Sequence, residues 1–180
     1  MIALEPPKGL ADWWRLYRLY ISAFPASERK PFSIIRNMYR EGKGQVLCIR
    51  EGGRFCGMIT TILSPELILV DYFAMDEKFR GKGFGTAALK TYLENCPDTG
   101  VFLEIESTQQ ACSGGEAREK RKQFYIHCGL EPLDVYADVF GVPMELMGRN
   151  CKLDFDDYYR FYRDQYSPWA AEHIRKLPQD

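Results

Sequence analysis

The sequence predicts an α/β (α+β) fold: a central mixed, mostly antiparallel twisted sheet flanked by helices, with a helical tail at the C-terminus. Three observations predict it. Apolar residues recur at helical spacing at both ends of the chain, β-rich runs separated by turn residues fill positions 45–75, and a strand, a glycine-rich loop, a helix and a second strand follow in order over 67–107. With 180 residues, 46% of them hydrophobic, the chain is long enough for one core and short for two ordinary domains. The expected organisation is a single domain over 1–150 and a helical extension over 151–180 packed on the same domain.

The elements follow in order. Trp13, Leu16, Tyr17, Tyr20 and Phe24 lie three and four residues apart, so Leu10 to Phe24 reads as an amphipathic helix that Pro25 stops. A short helix follows Pro31, with Ile35, Met38 and Tyr39 inward, and ends at Gly42 and Gly44. Gln45 to Arg50 and Arg54 to Leu63 form a hairpin, because Gly52-Gly53 accepts the positive φ angles of a tight turn. Ser64-Pro65-Glu66 turns the chain into Leu67 to Met75, an apolar central strand interrupted by Asp71. Ala87, Leu89, Tyr92 and Leu93 mark a helix after the glycine loop, and Val101 to Ser107 is the next strand, for which a right-handed parallel crossover is expected. A basic helix from Glu116 to Cys128 ends at Gly129. Val135 to Val142 and Met144 to Met147 then close the sheet as a hairpin or bent strand pair around Gly141 and Pro143. In the tail, Phe155, Tyr158, Tyr159, Tyr162 and Tyr166 share a helical stripe, with Asp154, Asp156 and Asp157 at its N-terminal end.

Composition narrows the function. Lys and Arg total 24 against 25 Asp and Glu, a net charge of -1, which argues against nucleic acid or an anionic membrane as partner and leaves a small molecule as the expected one. No apolar run approaches the roughly 20 residues of a spanning helix, and Glu5, Pro6 and Pro7 interrupt any signal core, so a cytoplasmic chain is expected. The six cysteines, Cys48, Cys56, Cys96, Cys112, Cys128 and Cys151, form no C-x-x-C pair and read as reduced thiols. His127 and His173 have no second ligand at helical spacing, so no metal site is expected.

The chemistry concentrates at Arg80-Gly81-Lys82-Gly83-Phe84-Gly85-Thr86. Backbone N–H groups at a helix start bind phosphate, and glycines let the backbone approach it without Cβ atoms in the way. Arg80 and Lys82 supply the charge to neutralise a diphosphate. Two carboxylates, Glu104 and Glu106, fall on one face of the Val101–Ser107 strand with Phe102, while Val101, Leu103 and Ile105 take the other. Paired carboxylates raise one pKa and suit base work, and a solvated strand face is the competing reading.

These segments resemble the GNAT superfamily of N-acyltransferases, whose signature R/Q-x-x-G-x-G/A is filled by Arg80, Gly83 and Gly85. Phe124-Tyr125-Ile126-His127-Cys128-Gly129-Leu130 is similar to the family's Y-x-x-x-G-F stretch, with Leu130 in place of Phe. The resemblance covers the order of elements from Leu10 to Met147. It implies a GNAT-like domain whose two parallel central strands, Leu67 to Met75 and Val101 to Ser107, splay apart around acetyl-CoA or another acyl-CoA. Phe73, Ala74 and Met75 would offer backbone groups to the pantetheine arm. It also implies Tyr125 as the acid that protonates the departing thiolate and Glu104, ahead of Glu106 and Asp71, as the base. Where family members often carry an Asn after the second strand, this chain has Ser107-Thr108-Gln109-Gln110 and a polar loop.

The expected reaction is direct N-acetyl transfer to a small-molecule amine, with no metal, by a monomer or homodimer. An amine of pKa about 10.4 is mostly protonated near neutral pH, and freeing it costs roughly 4 to 5 kcal/mol. A base is therefore worth more than an acid, because a thiol near pKa 8.5 leaves only about 2 kcal/mol for proton donation. By the same resemblance, Glu28 in Glu28-Arg29-Lys30 between the first two helices is a candidate acceptor contact, with Asp71 beside it as a second candidate, against a reading as solvated charges. Three alternatives stand beside this. A Rossmann-type dinucleotide enzyme fits the strand and glycines, but the third glycine comes one residue early and the loop is cationic. A CoA-binding sensor or interaction module of the same fold fits every motif. An enzyme acting on aminoacyl-tRNA would carry a basic face, which a pI near 6.2 opposes.

Overall fold

The computed structural model describes residues 1–109 and 115–178. Positions 110–114 of the polar loop lie outside the described residues, and Gln110 and Cys112 with them. The fold class holds: eight strands in a mixed sheet, with helices flanking it. The chain divides into two compact units, Met1–Leu63 with Val70–Asn95 and Ser64–Leu69 with Cys96–Asp180.

In the first unit the strands run in the order β1 (Ile2–Glu5), β2 (Gly44–Glu51), β3 (Arg54–Leu63) and then β4 (Leu67–Met75), whose first three residues belong to the second unit. β1 pairs antiparallel with β2, and β2 antiparallel with β3. Gly52 and Gly53, at φ +54° and +79°, make the expected tight turn. Helix α1 (Gly9–Ala23) and α2 (Phe32–Arg40) pack Leu16, Tyr20 and Ile35 against Val46, Cys48 and Met58. Tyr17 departs from expectation: it points away from this core, and Leu19 takes its place. The inward face of α3 (Phe84–Glu94) likewise runs through Ala88 where Ala87 was expected. A one-residue shift around a helix is 100°, and alanine gives periodicity little to read.

In the second unit, β5 (Gly100–Glu106), β7 (Val142–Arg149), β6 (Glu131–Val139) and β8 (Ile174–Lys176) are successive neighbours, each pair antiparallel. The β6–β7 turn places Phe140 and Gly141 at φ +52° and +84°, so Pro143 lies inside β7 and the hairpin is longer than the sequence suggests. Helix α4 (Gly115–Cys128) ends on Gly129 at φ +98°. The tail forms α5 (Phe155–Phe161), a π turn over Tyr162–Tyr166 and the short α6 (Pro168–Ala171). Asp154 caps α5 in a capping box with Asp157. No described helix is long and apolar enough to cross a membrane.

Close approach of β3 to β4 depends on Gly57. A Cβ there would sit 2.5 Å from the Ala74 carbonyl oxygen and 2.8 Å from the Met75 sulfur. Gly57→Ala should cost about 2 kcal/mol, read as a lower urea midpoint with an unchanged slope; a midpoint equal to wild type would show that β4 can shift freely.

Candidate functional site

In the first unit, β4 delivers the chain into a single 3₁₀ turn, Glu77–Phe79, and then into α3. Asp76 fixes the exit: its N–H donates to the Cys56 carbonyl at 2.9 Å and its carboxylate accepts from the Lys78 N–H at 3.1 Å. Gly81 and Gly83 follow at φ +70° and +76°, and a Cβ on either would meet nothing within 4 Å. Left-handed backbone thus requires glycine here, and the space beside it stays open. Gly83 is the N-cap of α3 and has no side chain to accept from the first-turn N–H groups. The loop's cations are restrained on its own backbone: Arg80 Nε donates to the Met75 carbonyl at 3.0 Å, and Lys82 Nζ to the Lys78 carbonyl at 2.8 Å, with the Phe79 ring 5.7 Å away. Open donors, positive charge and an outward helix N-terminus suit an anion such as a diphosphate.

Also in this unit, residues 28–30 are strapped to β4. The Tyr72 hydroxyl donates to the Glu28 carbonyl at 2.9 Å and receives the Lys30 N–H at 3.3 Å, while Tyr20 donates to the Lys30 carbonyl at 2.9 Å. Burial, and then the neighbouring Asp71 carboxylate, push the Tyr72 phenol far above its ordinary pKa, so it acts as a fixed neutral donor. Lys30 closes the strap by pairing with Asp71 at 2.8 Å. Both side chains are about nine-tenths buried, at 14% and 10% exposure. Asp71 therefore faces an internal cation, and the Glu28 backbone is held in place. Sequence reading missed Tyr72 and Tyr20 as straps, because apolar spacing marks them simply as core.

In the second unit, β5 presents Phe102, Glu104 and Glu106 on one face, as alternation predicts. Phe102 packs against Phe161 and Tyr158, with ring centroids 5.0 and 6.3 Å apart. Glu104 Oε1 accepts two phenolic hydrogen bonds, from Tyr158 at 2.5 Å and from Tyr162 at 2.7 Å. Glu106 is apart from that pair, with Arg121 at 3.6 Å and Arg118 at 3.9 Å. The expected tail stripe is thus partly a polar clamp. Its buried members are Tyr158, Phe161 and Tyr162, while Phe155, Tyr159 and Tyr166 are half-buried. The π turn starting at Tyr162 shifts the periodicity there.

Tyr125 sits in α4 against Phe124, and burial pushes its phenol up to about 12 despite the opposing pull of Arg121. One further carboxylate went unnoticed in the sequence. Glu145 of β7 is 2% exposed and accepts from the Thr108 N–H, the Thr108 hydroxyl and Lys122 Nζ at 2.9, 2.7 and 2.7 Å. Burial opposes the Lys122 charge, but Glu145 outweighs it and holds the ammonium above its usual range. This cluster ties α4 and the segment after β5 to β7. Only its wide sequence separations hid it. Among the described residues no group of three or more His, Cys, Asp or Glu could hold a metal ion.

Residues 13–113 match the family model described as Acetyltransferase (GNAT) family. Comparison with curated proteins by sequence finds no significant match. Among solved structures, a putative GNAT-family acetyltransferase from Bacteroides thetaiotaomicron is similar at 21% identity and TM-score 0.75, over 91% of this chain and 97% of that one. A spermidine N-acetyltransferase from Vibrio cholerae, in complex with CoA and spermine, aligns at 11% identity and TM-score 0.65 over 82% and 94%. Arabidopsis thaliana Naa50 with the bisubstrate analogue CoA-Ac-MVNAL aligns at 15% and 0.63 over 82% and 97%. At these identities the likeness is one of fold.

Two expectations follow from the geometry. Tyr158→Phe and Tyr162→Phe each remove one donor from the Glu104 carboxylate, so each should lower stability by about 1.5–3 kcal/mol in urea denaturation; losses under about 0.5 kcal/mol would mean that the clamp is idle. Alkaline pH should also destabilise the fold. Burial raises Tyr125 to about 12 and the Cys48 thiol to about 11, and places Tyr72 and Tyr158 well above the ordinary phenol value. In the unfolded chain these groups lose protons at their ordinary values, so above them the unfolded state binds fewer protons and stability falls as pH rises. Phenolate absorbance should therefore rise cooperatively with unfolding above about pH 10; smooth titration of every tyrosine in a folded protein would contradict this.

Proposed function

Because the chain belongs to the acetyltransferase (GNAT) family, we propose that it transfers the acetyl group of acetyl-CoA directly to an amine nitrogen of a small acceptor. The observation that carries this reading is the β4–loop–α3 turn, where Gly81 and Gly83 hold left-handed backbone beside open space and leave the α3 N-terminus unshielded. In this reading the N–H groups from Gly83 to Thr86 bind the diphosphate, with Phe84 and Gly85 between them. Arg80 and Lys82 neutralise its charge, and the backbone of Phe73, Ala74 and Met75 lines the pantetheine arm. Acetyl-CoA supplies an activated thioester; the amine nitrogen bonds to the acyl carbon, the C–S bond breaks, and one proton must leave nitrogen while another reaches sulfur.

The protein's own groups carry those protons. We assign the amine proton to Glu104, directly or through water, with Glu106 as the second carboxylate of that strand face. Tyr125 gives its proton to the departing thiolate. A phenol held near pKa 12 stays protonated at neutral pH, as a donor must. The Vibrio cholerae neighbour was solved with a polyamine and the Arabidopsis neighbour with a peptide-bearing analogue, which supports an amine as acceptor. Because Asp71 already pairs with Lys30, we assign first contact with the acceptor to Glu28.

One observation favours a second reading, a CoA-binding module without turnover. Both Tyr158 and Tyr162 donate to the same oxygen of Glu104, and a carboxylate oxygen so engaged is a weaker base.

A CoA-release screen over polyamines, amino sugars, amino acids and peptide N-termini separates the two. Turnover of any acceptor supports transfer; CoA binding without release across the panel supports the module. In the active enzyme, Glu104→Gln should lower kcat/KM more than Tyr125→Phe, since about 4 kcal/mol rides on freeing the amine and about 2 on the thiolate. Raising the pH should restore the glutamine variant. Equal losses without rescue would remove Glu104 from the base role. Gly83→Val should cut the thermal shift produced by CoA at least tenfold in apparent affinity; stabilisation by NAD and not by CoA would overturn the assignment of the loop.

A further inference from the structure

Helix α1 has two apolar faces. Leu16, Leu19 and Tyr20 fill the core of the first unit. On the other side Leu10, Trp14, Tyr17 and Ile21 remain 85%, 58%, 46% and 40% exposed. At 3.6 residues per turn these four fall within a stripe about 60° wide. Their spacing of four, three and four residues is that of a seam between paired helices. Ile34 of α2 is also 42% exposed, and Phe32 of α2 meets Tyr17 in an edge contact at 5.4 Å. Together these side chains expose on the order of 500 Å² of apolar surface, as large as the biggest patch on a typical monomer.

We propose that this stripe docks a second copy of the chain, α1 packing antiparallel on α1 about a twofold axis. The stripe is symmetric about its own midpoint, with an aliphatic residue at each end and an aromatic pair at the centre. Reversing one helix therefore sets Leu10 on Ile21 and Trp14 on Tyr17 of the partner, twice over, as an isologous interface requires. In this register Arg18 of one copy lies level with Trp13 of the other, an apolar position. The helix dipoles also run antiparallel.

An anionic surface is the competing occupant, since Arg15, Arg18 and Arg36 border the patch. Each already has a partner within its own chain. Arg15 pairs with Asp12 at 3.1 Å, Arg18 lies 4.8 Å over Trp14, and Arg36 lies 5.3 Å over Trp13. The cations thus cover aromatic rings and a buried acid. About 500 Å² per copy is below the roughly 800 Å² of a standard stable interface, so the dimer is a weak, reversible one. This inference is independent of acetyl transfer.

Sedimentation equilibrium of the full chain tests it, with melting temperatures to confirm that each exposed-site variant folds. Wild type should interconvert between monomer and dimer at micromolar concentration. Trp14→Glu and Tyr17→Lys should each raise the dissociation constant at least tenfold, and mixing the two variants should restore association. The antiparallel register sets position 14 of one copy on position 17 of the other, and this pairing would then carry opposite charges. A wild type that stays monomeric, a dimer indifferent to both substitutions, or a mixture that fails to associate would each overturn the proposal. So would binding of the wild type, without dimerisation, to phosphatidylserine vesicles that Trp14→Glu abolishes.

Discussion

An α-helix cannot satisfy its own first-turn N–H groups, and in α3 the chain leaves that deficit facing open space. Gly83 enters the helix from left-handed backbone, so no side chain caps it. Gly81 makes the preceding bend at φ +70°. Three neighbouring features hold this turn. Gly57 lets β3 lie close to the Ala74 carbonyl, Cys56 receives the Asp76 N–H, and Arg80 ties the loop back to Met75. A helix start left uncapped is a local cost of stability, which a bound anion would offset.

The buried acids of both units obey one rule: each is neutralised within its own unit. Asp12 is buried, which works against its charge, yet the Lys8 N–H, Arg50 and Arg15 together hold its carboxyl below the usual range. Asp71 has Lys30, and Glu145 has Lys122 and Thr108. Glu104 instead meets two phenols. Tyrosine donates a proton without carrying a charge, so the carboxylate is positioned without being paired to a cation by that clamp. The tail in this way packs against the carboxylate-bearing face of β5. The family model matches residues 13–113 and does not extend to the tail that holds this carboxylate.

Much of the fold was legible in the sequence because local physics dictated it. Gly52-Gly53 could only be a tight turn, Leu67 to Met75 has the bounds of β4, and the loop glycines marked the start of α3. The two terminal-side strands escaped notice. Ile2–Glu5 is four residues followed by two prolines, and Ile174–Lys176 is three; neither is long enough to show alternation. Tyr17 misled because aromatic residues occupy both sides of α1, so helical spacing alone could not say which face was buried.

The sequence by itself determined the order of the longer elements, the glycine turn before α3 and the candidate residues Glu104, Glu106 and Tyr125, since each depends on backbone conformation or on residue type within a few positions. Only the tertiary structure decided what those residues touch. That Glu104 meets Tyr158 and Tyr162, more than fifty positions away, that Asp71 is claimed by Lys30, and that Glu145 is a buried anchor are facts of long-range packing. Hydrogen bonds and ion pairs act over about 3 Å whatever the separation along the chain, and periodicity carries no record of such partners.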